Sequence, residues 1–348
     1  MERIVITPMF GFGDMLMATP AVRLLKEGRP GVHITWYAMQ KTAAQLLEGN
    51  PFVDEVRYFP FLTSGAAATA AHMIRHAFRR FDTAITFYPL NRRDYNLFAF
   101  MTGARTRIGF SYAHSTPGYL GWIHNRRLAE DQGLHCVREN VRLLSFFNLT
   151  VNDQSIPGLQ LFLTDDEKAR ADAYFTSQPR RPVIGVHAGT SIFKGHANRR
   201  WPKEHFATLM KSMKECSFFL FGSQEEDDVN QYIIDAVHEP ERVVRISGKG
   251  IRDVAALIQK TDLFVSNDSG LMHLACAVGT PVVEILGPTN PAFISPWGVK
   301  HRVMRTGIPC SPCFYYSAKP LTCSNPRQWE CMTALKPDFV EKAVRELL

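Results

Sequence analysis

The sequence predicts an α/β protein built as two Rossmann-like halves facing a central cleft. Three observations carry that expectation. Apolar, β-branched runs alternate with helix-periodic segments along most of the chain, the pattern of parallel strands joined by crossover helices. The alternation stops and restarts once, across the polar, proline-flanked stretch "QPRRP" at 178–182. The chain has 348 residues, enough for two ordinary domains, and its 45% hydrophobic and 21% charged residues mark it as globular. The expected domains are 1–178 and 179–348, with a last helix packing back on the first of them.

In the first half, "RIVIT" reads as a strand, Ala18 to Glu27 as a helix whose regular part is set by Pro20, and "HITWYAM" as a second strand. A short helix through "TAAQLLEGN", the strand "VDEVRYF", the helix "AAATAAHMIRHAFRR" and the strand "DTAITFY" follow. From Ser111 to Asn152 the pattern weakens, apart from a helix at "VRENVRLLSFF". Thr164 is the expected N-cap of a helix through "DDEKARADAYF", with Glu167 three residues on. In the second half the strands are "VIGVHAG", "SFFLFGS", "VVRISG", "LFVSND" and "PVVEILG". The helices between them are "WPKEHFATLMKSMKE", "EEDDVNQYIIDAV", "RDVAALIQKT" and "GLMHLACAVG". Open parallel sheets bind ligands beyond the carboxyl ends of their strands, which sends the search for a site to the loops after them.

No apolar run approaches the ~20 residues of a membrane-spanning helix, and the N-terminus lacks the pattern of a signal peptide, so a cytoplasmic location is expected. The formal net charge of +7 and a pI near 9.0 suit an anionic ligand, an anionic membrane surface or nucleic acid. No aromatic–basic interleaving, zinc-finger or helix-turn-helix signature is present, so nucleic acid is not expected.

Four strand ends carry chemistry. The first is "GFGDMLMATPAVRLLKE", where Gly11 and Gly13 permit a sharp turn or a close approach and Asp14 follows. Leu16 stands where a dinucleotide fingerprint would place its third glycine, which disfavours such a cofactor. Asp14 reads either as a helix N-cap or as a working carboxylate. The second is "NDSGLMHLACAVG": Asp268, Ser269 and Gly270 lead into a helix whose unpaired N–H groups form an anion site, with His273 one turn on. An Asp/Ser cap with a core histidine is the alternative. The third is "GVHAGTSIFKGHANRRWP", where Thr190, Ser191, Lys194 and Arg200 are donors suited to a diphosphate, or simply a solvated loop. The fourth is "FGSQEEDD", where Glu225 or Glu226 could accept bonds from ribose hydroxyls, or serve only as an acidic first helical turn.

Taken together, "GFGDMLMATPAVRLLKE", "RRWPKEHF" and "NDSGLMHLACAVGTPVVEILGPTNP" resemble glycosyltransferase family 9, the heptosyltransferases of lipopolysaccharide core assembly, over nearly the whole chain. The resemblance implies a GT-B fold and an inverting transfer from ADP-L-glycero-D-manno-heptose to a sugar acceptor, without a catalytic metal. It implies a general-base role for Asp14. It places Asp268, Ser269, Gly270 and His273 on the donor diphosphate and sugar, Arg200 where relatives often carry Lys, Thr190 in their phosphate loop and Glu225 or Glu226 near their ribose-binding acid. The implied partners are a nucleotide-diphosphate sugar and a glycan or glycolipid, with peripheral contact to the anionic inner membrane. Two other readings are a GT-B transferase with a different nucleotide sugar or acceptor, and a two-lobed nucleotide-binding protein without transfer.

Of seven cysteines, Cys310, Cys313, Cys323 and Cys331 cluster in "CSPCFYYSAKPLTCSNPRQWEC". Three readings stand: a structural metal site, disulfides, or thiols packed in a loop. The other three, Cys136, Cys216 and Cys276, read as small buried hydrophobes.

Overall fold

The computed structural model describes residues 1–78, 80–175, 182–315 and 320–348. They form two compact units, Met1–Phe162 and Leu163–Leu348. All of the expected linker at 178–182 except Pro182 lies outside the described residues.

The first unit holds strands β1 (Arg3–Ile6), β2 (His33–Ala38), β3 (Glu55–Tyr58), β4 (Thr83–Ile85), β5 (Thr106–Ser111) and β6 (Arg126–Ala129). Its α-helices are α1 (Phe12–Gly28), α2 (Lys41–Leu47), α3 (Gly65–His76), α4 (Arg93–Met101) and α5 (Cys136–Arg142). All strand pairs are parallel, in the order β3-β2-β1-β4-β5-β6. Val5, Tyr37, Met73, Phe81 and Phe98 pack one core between sheet and helices.

The second unit opens with α6 (Asp165–Phe175) and holds β7 (Val183–His187), β8 (Ser217–Phe221), β9 (Val243–Ile246), β10 (Leu263–Asn267), β11 (Val282–Ile285) and β12 (His301–Met304). Its further helices are α7 (Lys203–Ser212), α8 (Asp227–Val237), α9 (Ile251–Gln259), α10 (Gly270–Ala277), α11 (Pro291–Ile294), α12 (Glu330–Thr333) and α13 (Pro337–Leu347). The parallel order β12-β11-β10-β7-β8-β9 repeats that of the first sheet, each unit's first and fourth strands lying side by side. Trp201, Phe206, Phe218, Val265, Val283, Val340 and Val344 share one buried cluster, each large side chain contributing about 1.5–3 kcal/mol of apolar burial. Buried Trp201 donates its Nε1–H to the Leu335 carbonyl at 2.9 Å, so its one polar atom is satisfied. Through Val340 and Val344, α13 packs in this cluster with α7 and the sheet of its own unit.

Local chemistry sets several boundaries. Thr164 and Glu167 form the expected capping box, Glu167 accepting from the Thr164 N–H at 2.8 Å and donating its own N–H to Thr164 Oγ1 at 3.3 Å. The first helix begins at Phe12, six residues' worth of sequence ahead of the expected start being helical up to Pro20 and beyond. Pro20 has no N–H for the Leu16 carbonyl, and the Thr19 hydroxyl takes that carbonyl instead at 2.7 Å. Strand β6, "RRLA", is mostly exposed and arginine-led, an edge strand without the hydrophobic run that would announce it.

Candidate active site

In each unit the candidate site residues sit after the first and fourth strands, where the strand order reverses. In the first unit, Gly11 is the N-cap of α1, extended at φ −86° and ψ 131°, and Asp14 is the third helical residue, half-buried. The N-cap reading of Asp14 is therefore corrected: the chain turns one glycine earlier, and Asp14 lies inside the first turn, where a negative charge favours the helix dipole. A Cβ on Gly11 would stand 3.1 Å from Asp14 Oδ2, so the glycine leaves room for this carboxylate. Gly13 is buried in the same turn. On α4, burial pushes the Tyr95 phenol up to about 12, Arg92 opposing and the charge of Asp14 adding to it. After β4, Tyr88 stacks on Tyr112 with centroids 5.6 Å apart and meets Phe110 edge-on at 5.5 Å. Asn140 of α5 receives the Tyr88 N–H at 2.8 Å and donates to the Met17 carbonyl of α1 at 3.3 Å, tying the segment after β4 to α1 through α5.

In the second unit a denser network occupies the equivalent place. Asp268, just after β10, accepts from Arg199 at 2.7 Å and from the Thr289 hydroxyl at 2.7 Å. The Arg199 guanidinium lies 4.2 Å from the ring centroid of Phe314. Ser269 is the N-cap of α10 and makes no side-chain cap bond. Its Oγ instead lies 2.9 Å from His187 Nδ1 and 3.1 Å from Ser266 Oγ. Gly270 opens the helix, so the first-turn N–H groups that need outside acceptors are here.

His187 Nε2 lies 3.2 Å from Glu226 Oε1. Burial acts to raise the Glu226 carboxyl, but His187 and the capping bonds to Ser223 prevail and hold it at about 2. A Cβ on Gly189 would fall 1.7 Å from Glu226 Oε1, so the loop after β7 can pass this carboxylate only as glycine. Asn267 joins the same loops, accepting the Trp201 N–H at 2.9 Å and donating to the Ala188 carbonyl at 2.8 Å.

The expected donor residues divide accordingly. Asp268, Ser269, Gly270 and Glu226 share this network, and Arg200 joins it by donating to the Thr190 carbonyl at 2.8 Å and approaching Glu226 at 4.0 Å. Thr190 is buried and its hydroxyl is engaged by the His196 carbonyl at 2.9 Å, so that donor serves the loop. Ser191 and Glu225 are exposed, and the side chain of Lys194 lies outside the described residues. His273 is buried; burial holds its ring down at about 4, Asp268 opposing, and its Nδ1 has no hydrogen-bond partner among the described residues. It is therefore a neutral imidazole.

Sequence reasoning missed Arg199, His187, Asn267, Thr289 and Phe314. Arg199 had a visible signal, standing beside Arg200 in "NRRWP"; the two take different partners, Arg199 meeting Asp268 and Arg200 the Thr190 carbonyl. It also missed Glu284, which shares a sheet row with Ser266 and His187. Both Glu284 carboxyl oxygens are buried without a partner among the described residues, and burial pushes the group well above the usual carboxylate range.

Among the described residues no group of three or more His, Cys, Asp or Glu is arranged to hold an ion, so the metal reading of the cysteine tail finds no support there. Cys310, Cys313, Cys323 and Cys331 are free thiols. Cys310 Sγ accepts from Asn325 at 3.4 Å, Cys323 Sγ accepts from the Trp329 N–H at 3.3 Å, and burial raises the Cys331 thiol to about 11. Residues 316–319, inside this stretch, lie outside the described residues.

A family model described as glycosyltransferase family 9 (heptosyltransferase) matches residues 80–322. The chain belongs to this family. It is a glycosyltransferase, and its two parallel six-stranded sheets are the α/β domains of the GT-B class. Its sequence is 29% identical to lipopolysaccharide heptosyltransferase 2 of Escherichia coli K12, over 88% of each chain. Its fold resembles the E. coli ADP-heptose lipopolysaccharide heptosyltransferase II with a TM-score of 0.75, covering 100% of this chain and 98% of that one at 23% identity. A second E. coli heptosyltransferase, solved with ADP, superposes with a TM-score of 0.70 at 17% identity over 100% of both chains. Among the described residues no helix is long and apolar enough to cross a membrane.

Proposed function

We propose that this protein transfers a heptose from ADP-L-glycero-D-manno-heptose, with inversion, to a sugar acceptor in lipopolysaccharide core assembly, working in the cytoplasm. The observation that carries the reading is the Arg199–Asp268–Ser269 network at the N-terminus of α10, beside an ionised Glu226. A helix N-terminus flanked by two arginines suits a nucleoside diphosphate, and Glu226 suits a ribose. Residues 179–348 thus take the donor, and residues 1–178, with Tyr88, Tyr112 and Phe110 at a strand end, take the acceptor, since aromatic faces suit sugar rings.

In the proposed reaction an acceptor hydroxyl attacks the anomeric carbon in line. The new C–O bond forms as the bond to the diphosphate oxygen breaks, and ADP leaves with the electron pair. Asp14 takes the hydroxyl proton. Arg199, Arg200 and the N–H groups of α10 stabilise the charge that develops on the leaving diphosphate. The tail cysteines enter no step.

Two measurements test this reading. ADP is expected to raise Tm more than AMP does, because the β-phosphate meets the N-terminus of α10. ADP-heptose is expected to turn over with a core-oligosaccharide acceptor, giving a product one heptose heavier, while UDP- and GDP-hexoses stay intact. Equal stabilisation by AMP and ADP, or transfer from another nucleotide sugar in preference, would overturn it.

A further inference from the structure

His187 is the last residue of β7 and is buried, and the reaction proposed above gives it no part. Its ring is held at both ends. Nε2 lies 3.2 Å from Glu226 Oε1, and Nδ1 lies 2.9 Å from Ser269 Oγ. Ser269 is itself unusual for an N-cap. A serine there ordinarily turns its oxygen to the N–H of the second or third helical residue, and Ser269 makes no such bond. Its hydroxyl instead faces the ring and Ser266 Oγ, 3.1 Å away; Ser266 is the register partner of His187 on β10. Ser266, fully buried, reaches the Asn267 carbonyl at 2.7 Å.

The protons available decide which way these contacts run. From the ring outward there are three contacts: Nδ1 to Ser269, Ser269 to Ser266, and Ser266 to the Asn267 carbonyl. Each needs one proton, and the two hydroxyls supply two. The carbonyl only accepts, so the third proton is on Nδ1. At the other end Glu226 is ionised, its Oε2 accepting the Ser223 N–H at 2.8 Å, and it can only accept from Nε2. Arg200, 4.0 Å from Glu226 Oε1, is the other cation facing this carboxylate. Both ring nitrogens therefore carry protons, and His187 is an imidazolium paired with Glu226. A neutral ring would leave lone pairs facing each other in this buried chain, at a cost comparable to an unmade hydrogen bond.

The direction of the chain decides what Ser269 offers a ligand. With Nδ1–H donating to its oxygen, Ser269 can turn its own proton from Ser266 to an anionic oxygen arriving at the N-terminus of α10. A ring that accepted at Nδ1 would take that proton and leave Ser269 lone pairs facing the anion. We propose that His187 is a positioning residue for the donor: held doubly protonated by Glu226, it makes Ser269 a hydrogen-bond donor to the diphosphate. The inference rests on the proposed diphosphate site at α10. It also couples the two ends of the nucleotide, because the carboxylate proposed to meet the ribose is the one that keeps the ring charged.

Two independent measurements test it. Nitrogen NMR of the full chain with labelled histidines, the His187 signals assigned by their loss in His187→Asn, is expected to show both ring nitrogens protonated at neutral pH. A singly protonated ring would overturn the proposal. Calorimetric titration with ADP and AMP then reads the link to Ser269. Ser269→Ala is expected to weaken ADP roughly tenfold and leave AMP near its wild-type affinity. His187→Leu is expected to do the same, and adding Ser269→Ala to it to cost less than roughly twofold more, because both act through one bond. His187→Asn, whose amide N–H replaces Nδ1–H, is expected to recover most of the ADP affinity. Equal losses for ADP and AMP, or additive losses in the double variant, would make the ring a packing group only and overturn the proposal. If His187→Leu does not fold, the nitrogen spectrum decides. A wild-type chain that binds ADP no better than AMP would overturn the proposed function, a failure that the spectrum separates from a wrong assignment of the ring.

Discussion

The two sheets share one strand order, and each places an aspartate just beyond a strand at its reversal point, yet the surroundings of Asp14 and Asp268 differ. Asp268 is held by a guanidinium and a hydroxyl, and the guanidinium is in turn covered by a ring from the C-terminal tail. Asp14 sits inside a first helical turn, beside a glycine that makes room for it and a phenol whose ionisation it opposes. The two strand ends thus give their aspartates different surroundings: Asp268 is tied to a cation and a hydroxyl beside a helix N-terminus, and Asp14 lies near the Tyr95 phenol. The proposed function gives the first a part in holding the donor and the second the proton. Position in the fold fixes where a site lies, and the side chains packed around it fix what the carboxylate does.

The largest effect short of catalysis is expected at the second aspartate. Arg199→Met leaves Asp268 nearly buried without its cation, and losing one partner of such a pair costs about 3–5 kcal/mol. Isothermal titration should show ADP binding weakened at least roughly a hundredfold, with Arg199→Lys recovering only part of it. Phe314→Leu removes the ring face and should weaken ADP roughly fivefold, while Phe314→Tyr keeps wild-type affinity. Unchanged ADP affinity in Arg199→Met would erase the contrast between the two halves.

A smaller effect concerns Glu284, buried on the same sheet face as His187. Its carboxyl is raised above the ordinary 4.5, so the folded state holds the proton that the unfolded chain loses. The stability it confers is present below about pH 4.5 and is lost as pH rises toward the folded value. Glu284→Gln cannot ionise, so its Tm relative to wild type should climb as pH rises above that point. A difference constant from pH 4 to pH 8 would contradict the buried neutral acid.

Most of the architecture was legible in the sequence because parallel strands, buried on both faces, write themselves as apolar runs. The strands that escaped were those that packing alone defines. β6 and β12 are edge strands with little buried surface, and β5 has a short buried centre at 108–110. The "NDSG" stretch was legible as a candidate site because it joins a strand end to a helix start with unpaired N–H groups. The partnership of Arg199, Phe314 and Thr289 with it was not, since each reaches Asp268 or its partner across long sequence separations that periodicity does not encode. The metal reading of the four cysteines is one that spacing alone does not support. The four thiols lie near enough to interact electrostatically, Cys313 with Cys310 and Cys323, and Cys331 with all three, but among the described residues no group of three or more is arranged to hold an ion.

The central claim is that Asp14 takes the proton while the Asp268 network holds the donor. Asp14→Asn is nearly isosteric and keeps the helix start, so it separates proton transfer from packing. Measured at saturating ADP-heptose and acceptor, kcat should fall by roughly 10²–10⁴, the range for a positioned general base, with Tm and ADP affinity unchanged. Wild-type kcat in Asp14→Asn, or a loss confined to the acceptor's KM, would contradict the assignment.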